Sequence, residues 1–169
     1  MTAPATPWLD ERELAAWVGL IKLSSRLVTL SDGALRRDQG ITGRDYELLH
    51  HLSEGEADGG RRIGDLARVI DDSSSCITHR VNRLVAEGLV EKRPDPADGR
   101  ARRIHLTDTG RALLEAAAPA HVERVRQWVF DPLERGDVDD LARLTHTLNQ
   151  HLRAVAPVEA APATTVAGR

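Results

Sequence analysis

The stretch from Asp98 to Gly110, DGRARRIHLTDTG, constrains this chain more than any other. Val90 precedes Glu91, Lys92 and Arg93, while farther on Ile104 and Leu106 alternate with Arg103 and His105, the period-two pattern of strands with one buried face. Between them residues 94–99 hold two prolines, two aspartates and a glycine, so the chain turns there. The expected product is a β-hairpin with Arg93, Arg100, Arg102 and Arg103 on one narrow ribbon. Guanidinium groups so concentrated suit phosphates and the negative potential of a minor groove. A solvated charge run on an exposed hairpin is the plainer alternative.

The residues before the hairpin favour the first reading. At 100° per residue, Ile77, Val81, Leu84 and Gly88 fall on one face of a helix, and Ser75, His79, Asn82 and Arg83 on the other. That second face is short, polar and rich in hydrogen-bond donors, as contacts to base edges and phosphates in a major groove require. Ser73 or Asp72 can cap the helix and Gly88 can end it. Upstream, residues 63–70 give a short helix with Leu66, Ala67 and Ile70 at inward spacing, then a turn at Asp71 and Asp72. Helix, turn, polar-faced helix and basic hairpin form a winged helix-turn-helix, so the expected fold is mainly α with a small β-hairpin wing. The residues expected to meet DNA are Ser73, Ser74, Ser75, Thr78, His79, Asn82 and Arg83 from the helix. Arg100, Arg102 and Arg103 are expected to do so from the wing, with Asp98 orienting Arg100 through an ion pair.

These residues resemble the MarR family (multiple antibiotic resistance regulators) of transcriptional regulators over roughly residues 9 to 155. The family's wing pattern, Asp-x-Arg followed by Leu-Thr and then Gly, is met by Asp98, Arg100, Leu106, Thr107 and Gly110. The ending of its recognition helix is met by Leu84, Gly88, Leu89 and Val90. Two positions depart from it: His79 stands where arginine is common, and Arg80 where an apolar residue is common. The resemblance implies a homodimer, usually a repressor, that leaves DNA when a small aromatic or phenolic anion binds between the dimer helices and the winged domain. Trp17, Ser24, Tyr46 and His50 are the candidate pocket residues.

Charge is informative only when taken locally. The whole chain has 23 basic and 26 acidic residues, but residues 61–111 hold eleven Arg and Lys against eight Asp and Glu, so this segment is +3 and the remainder −6. The basic character sits where the wing and polar helix are. One hundred and sixty-nine residues with 41% apolar content suit a single core. With one cysteine there is no internal disulfide framework, and no uninterrupted apolar run of about 18 residues suggests a membrane span. The expected location is cytoplasmic, with no membrane partner.

The flanking helices point to assembly. In residues 9–30 only Ala15, Gly19, Lys22, Arg26 and Thr29 form a stripe without large apolar groups; Leu14, Trp17, Val18, Leu20, Ile21, Leu23, Leu27, Val28 and Leu30 cover the rest. A helix apolar around most of its circumference needs burial on more than one side. Near the other end Asp137 is placed to cap a helix whose Leu141, Leu144, Leu148, Leu152 and Val155 form a near-heptad seam. Pairing both with a second subunit buries them, and a twofold dimer reads a pseudopalindromic operator in double-stranded DNA with half-sites about 10 base pairs apart. Thr107 is expected to cap a connecting helix that Pro119 kinks or interrupts.

The expected organisation is therefore a disordered 1–7, a dimerisation helix over 8–40 and a DNA-binding domain over 41–106. Connector and dimerisation helices over 107–155 and a disordered 156–169 complete it. No glycine-rich phosphate loop, nucleophile elbow or metalloprotease histidine pair is present, so no enzyme and no cofactor is expected. The alternatives are a redox response through Cys76, a metal response through Glu47, His51 and Glu54, and a winged module used only for protein assembly.

Overall fold

The computed structural model describes residues 7–57 and 59–156; the expected disordered ends fall outside these, apart from Pro7 and Ala156. Helix α1 (Glu11–Gln39) begins at Asp10, whose carboxylate accepts from the Arg12 and Glu13 N–H groups while Glu13 reaches back to the Asp10 N–H. The same reciprocal box, now Thr42 with Asp45, starts α2 (Gly43–Glu54). Helix α3 (Ile63–Ile70) ends on Asp71 at φ 60°, a left-handed conformation that a short polar side chain tolerates. After one turn Ser73 caps α4 (Ser74–Ala86). Gly88, at φ +72°, then lets the chain swing out of α4 into the hairpin.

Strands β1 (Val90–Asp95) and β2 (Asp98–Leu106) pair antiparallel from Val90 opposite Leu106 to Pro94 opposite Arg102, with Pro96 and Ala97 at the tip. A single bridge from Arg61 adds a third rung, donating to the Ile104 carbonyl at 3.1 Å and accepting from its N–H at 2.8 Å. Thr107 caps α5 (Asp108–Val125), which passes through a π-helical turn at Arg126–Phe130; α6 (Arg135–Val155) follows. This is the mainly helical, winged architecture expected.

One core joins these parts. Leu48, Leu49 and Leu52 of α2 meet Leu66 and Ile70 of α3, Ile77, Val81 and Leu84 of α4, and Val90, Ile104 and Leu106 of the wing. Leu114 and Ala117 of α5 close it. The core holds α4 by its inner face, which leaves the opposite face outward. From α1 only Leu35 joins this cluster, and α6 buries no residue at all. Leu20, Ile21, Leu144, Leu148 and Leu152 therefore stand about half exposed on the single chain.

The structure corrects one expectation and narrows two. Asp137 is not the cap of α6: Glu134 is, and Asp137 completes its box from the third helical position. Pro119 does not interrupt α5, which continues to Val125. The proline is exposed, so the carbonyl it leaves without a partner one turn earlier can be hydrated. Finally, α1 contains an 18-residue window of mean hydropathy 1.3, apolar enough by length and composition to cross a membrane. Lys22 and Arg26 split its apolar residues into short runs, which hides that average from a search for one unbroken run.

Gly110 shows how tightly α5 seats on the wing root. A Cβ built there would lie 2.0 Å from the Leu89 carbonyl oxygen, a backbone atom that cannot rotate away. Gly110→Ala is expected to destabilise the fold by about 3 kcal/mol in denaturant titrations. Gly64→Ala, in a helix with nothing within 4 Å of the new methyl, serves as the control and is expected to be neutral or slightly stabilising. Equal stability of the two variants would contradict the packing described.

Candidate nucleic-acid interface

The outer face of α4 is open. Ser75, Cys76, Thr78, His79 and Asn82 are all exposed there, and Lys92 of β1 donates to the Asn82 amide oxygen. Thr78 turns its hydroxyl back to the Ser74 carbonyl at 2.6 Å. Ser73 is different: it is buried, and its Oγ accepts from the Cys76 N–H at 3.2 Å, so its place is that of a cap. Ser74 is half-buried beside it.

Arg83 sits at the edge of this face under restraint. One arm of its guanidinium donates to the Asp45 carboxylate and the other to Glu87 at 3.0 Å. Asp45 itself is completely buried, with its second oxygen accepting from the Thr42 N–H at 2.8 Å and the Thr42 hydroxyl at 2.7 Å. One carboxylate thus caps α2 and grips α4. Arg80, one turn before Arg83, is mostly buried, donates to Asp72 at 3.2 Å and lies 4.0 Å from Asp45.

The wing has an equivalent anchor in Asp95. Its buried carboxylate accepts from Arg62 at the start of α3 at 2.7 Å and from Arg103 at 3.0 Å, and also from the Ala97 N–H at 2.9 Å. The Arg62 hydrogen bond, with the Ala97 N–H and Arg103, holds this carboxyl far below the usual carboxylate range. Arg103 also donates to the Gly60 carbonyl at 2.9 Å, so it ties the hairpin to the body of the domain. Arg102 folds along the tip onto the Gly99 and Ala101 carbonyls. Arg100 is fully outward, and its side chain meets no partner among the described residues. The expected ion pair from Asp98 to Arg100 is replaced by a backbone contact: Asp98 accepts the Arg100 N–H at 3.1 Å. The contact is local, an acidic side chain accepting the backbone N–H two residues on.

A second concavity, of about 630 Å³, lies between α1, α2 and α5. Tyr46 and His50 line it with near-parallel rings 6.5 Å apart, and His121 of α5 closes on Tyr46 at 4.4 Å. Leu27 and Val28 form its apolar side. Trp17 and Ser24 do not reach it. Trp17 is 55% exposed and Ser24 turns its hydroxyl onto the Ile21 carbonyl. At 1.5 Å per residue Trp17 lies about 15 Å along α1 from Leu27, so the sequence reading of one shared pocket fails within a single chain. Of the residues named for a metal response, His51 Nδ1 pairs with Glu54 at 2.9 Å and Glu47 lines the groove; no cluster suited to a metal occurs among the described residues.

Sequence reasoning missed Asp45, Asp95 and Arg62. The capping box Thr42-x-x-Asp45 was a readable signal for the first. Arg80 was a second signal, since a charge at a usually apolar position calls for a buried carboxylate nearby.

A model of the MarR family matches residues 39–101. Over 89% of this chain and 94% of its own, Sco3205 from Streptomyces coelicolor, a MarR family transcriptional regulator solved in complex with DNA, superposes with a TM-score of 0.82 at 30% identity. AbsC, another MarR family regulator from the same organism, gives 0.83 at 32% identity over 88% of this chain and 99% of its own. The chain belongs to the MarR family. Among curated relatives, the transcriptional activatory protein BadR of Rhodopseudomonas palustris is 30% identical over 115 residues, 68% of this chain and 62% of BadR, so less than two-thirds of that protein is spanned. MarR membership makes the chain a transcriptional regulator and not an enzyme. It also gives Gly110 of the family pattern its physical reason, the contact with Leu89.

His121 and His105 are both held below the usual histidine range, chiefly by burial, with Arg124 beside the first and Arg93 beside the second adding to it. Protonation therefore favours the unfolded chain, whose histidines take up protons near pH 6.5. Their stabilisation is complete above that pH and is lost as pH falls from it toward the folded-state values. The melting temperature is expected to drop between pH 7 and 5, and His121→Gln to flatten that drop. An unchanged slope in the variant would contradict the assignment.

Proposed function

We propose that this regulator is a cytoplasmic homodimer that binds a pseudopalindromic operator in double-stranded DNA as a repressor and is released by a small aromatic or phenolic anion. One observation carries the reading: the open polar face of α4 and the outward Arg100 lie on the same winged domain, whose inner faces are fully used by the core. Ser75, Thr78, His79 and Asn82 supply donors and acceptors for base edges, and Arg100 and Arg102 supply charge for phosphates. Arg83 joins them by exchanging part of its hold on Asp45 or Glu87 for DNA.

The dimer follows from the apolar surfaces of α1 and α6, which the single chain leaves in water. Burying them against a second copy costs no buried charge if Lys22 and Arg26 stay at the rim, whereas a bilayer would bury both at the middle of α1. A dimer also brings a second α1 toward the groove, the one route by which Trp17 or Ser24 could approach a ligand there. Tyr46, His50 and His121 offer that ligand flat rings, and Arg44 at the same groove offers an acidic substituent a cation. The name of BadR favours activation as the second reading. A reporter downstream of the operator separates the two, since deleting the regulator raises expression under repression and lowers it under activation.

The test of DNA binding is fluorescence anisotropy on the DNA upstream of the chain's own coding sequence across a salt series. Arg100→Ala is expected to weaken binding to all sequences and to reduce the slope of log K against log salt by about 0.9 for one lost phosphate contact. A chain that binds no DNA as a dimer, or a slope untouched by the substitution, would overturn the reading of the wing.

A further inference from the structure

Beside the N-terminus of α2, next to the ring-lined groove and sharing Asp32 and Arg44 with it, a cleft of about 370 Å³ opens against α4. Arg44, His79, Arg80 and Arg83 line it, together with Thr42 and Cys76. Asp32 and Asp45 line it too, but their oxygens are engaged. Asp45 accepts from Thr42 and Arg83, and Asp32 accepts the Gly43 N–H at 2.7 Å and faces Arg36 at 3.8 Å. Asp72, next to the cleft, accepts from the Ser73 N–H and from Arg80.

The donors are not matched in the same way. Arg80 is only 14% exposed, and although its Nη2 pairs with Asp72, its Nη1 is buried without a hydrogen-bond partner among the described residues. Buried guanidinium N–H groups left unpaired carry a desolvation cost, so such an atom in a folded protein marks a place for an acceptor. Arg44 is largely exposed, and its ion-pair contact to Asp72 is long at 3.9 Å. Arg80, held by Asp72, and Arg44, held only by that long contact, line the cleft together with Thr42 and His79.

We propose that this cleft is a binding site for an oxyanion of phosphate type, with Arg80, restrained by Asp72 and only partly paired, as its fixed cation and Arg44 as its closing cation. Planar guanidinium forks match the oxygens of such anions, and Arg80 is pre-organised for the task by Asp72 and Asp45. The site shares His79 and Arg83 with the face proposed to meet DNA, so two sources of the anion are possible: a phosphate of the DNA backbone, or a free phosphate that excludes that backbone. The inference leans on the proposed function only for the first source.

The test uses the full chain, with Arg80→Lys and Arg44→Gln as variants. Lysine keeps a charge for Asp72 and Asp45 but loses the fork, and Arg44 is exposed enough to change without disturbing the core. Inorganic phosphate is titrated into DNA-free protein by calorimetry, against chloride at equal ionic strength. Saturable binding that Arg80→Lys weakens about tenfold or more and Arg44→Gln also weakens establishes the site for a free anion. If free phosphate does not bind, but Arg44→Gln lowers the salt slope of operator binding by about 0.9 and Arg80→Lys weakens that binding, the site belongs to a DNA phosphate. If phosphate binds the variants as it binds the parent, or if neither readout moves in either variant, the proposal is overturned. Melting of each variant without phosphate checks that it is folded. Phosphate binding in a protein that ignores DNA would sink the DNA reading and leave this site standing.

Discussion

Two buried carboxylates hold the surface that matters. Asp45 fastens α4 to the start of α2 through Arg83, and Asp95 fastens the wing to the start of α3 through Arg62 and Arg103. A helix with one apolar face can still rotate or slide on its core by small amounts, and a two-stranded hairpin is weakly stable alone. Ion pairs with buried, fully hydrogen-bonded carboxylates remove that freedom because a small displacement leaves a charge unpaired in a low-dielectric interior. The distance between the polar face of α4 and Arg100 at the wing is thereby fixed by side chains that face away from both. Arginine is abundant in this domain, yet much of it is structural: Arg62 and Arg103 are committed to Asp95, and Arg83 divides itself between Asp45 and Glu87.

The same division explains the uneven burial of the chain. Residues 41–117 supply almost all of the core, whereas α1 and α6 carry long apolar faces that the core does not use. The ring-lined groove lies where these two regions meet, with α1 on one wall and α2 and α5 on the others. Asp32 and Arg44 line both this groove and the arginine cleft against α4. A molecule seated in either space therefore touches residues that border the other.

Much of this was legible in the residues. The alternation about residues 94–99 placed the wing, Ser73 and Thr107 placed two caps, and Leu66, Ile70, Ile77, Val81 and Leu84 placed the inner faces of the helix-turn-helix. Periodicity reports which side of an element is apolar, and that was enough for the fold. It does not report which of several arginines meets a carboxylate 33 or 38 residues away, as Arg62 meets Asp95 and Arg83 meets Asp45. For that reason the sequence alone does not set Asp95 apart from other turn residues, or Arg103, tied to Gly60 and Asp95, from the exposed Arg100. Within one chain Trp17 and Ser24 do not line the groove of Tyr46 and His50, since their positions along a 29-residue helix do not say where the neighbouring domain touches it.

On the proposed function, two copies of this winged surface, related by a twofold axis, lie on one face of a DNA duplex. Hydroxyl-radical footprinting of the protein bound to its upstream DNA tests it most directly. Two matching protected patches, centred about one helical turn apart on the same face of the duplex, are the predicted result. A single patch, or protection without twofold symmetry, would contradict it.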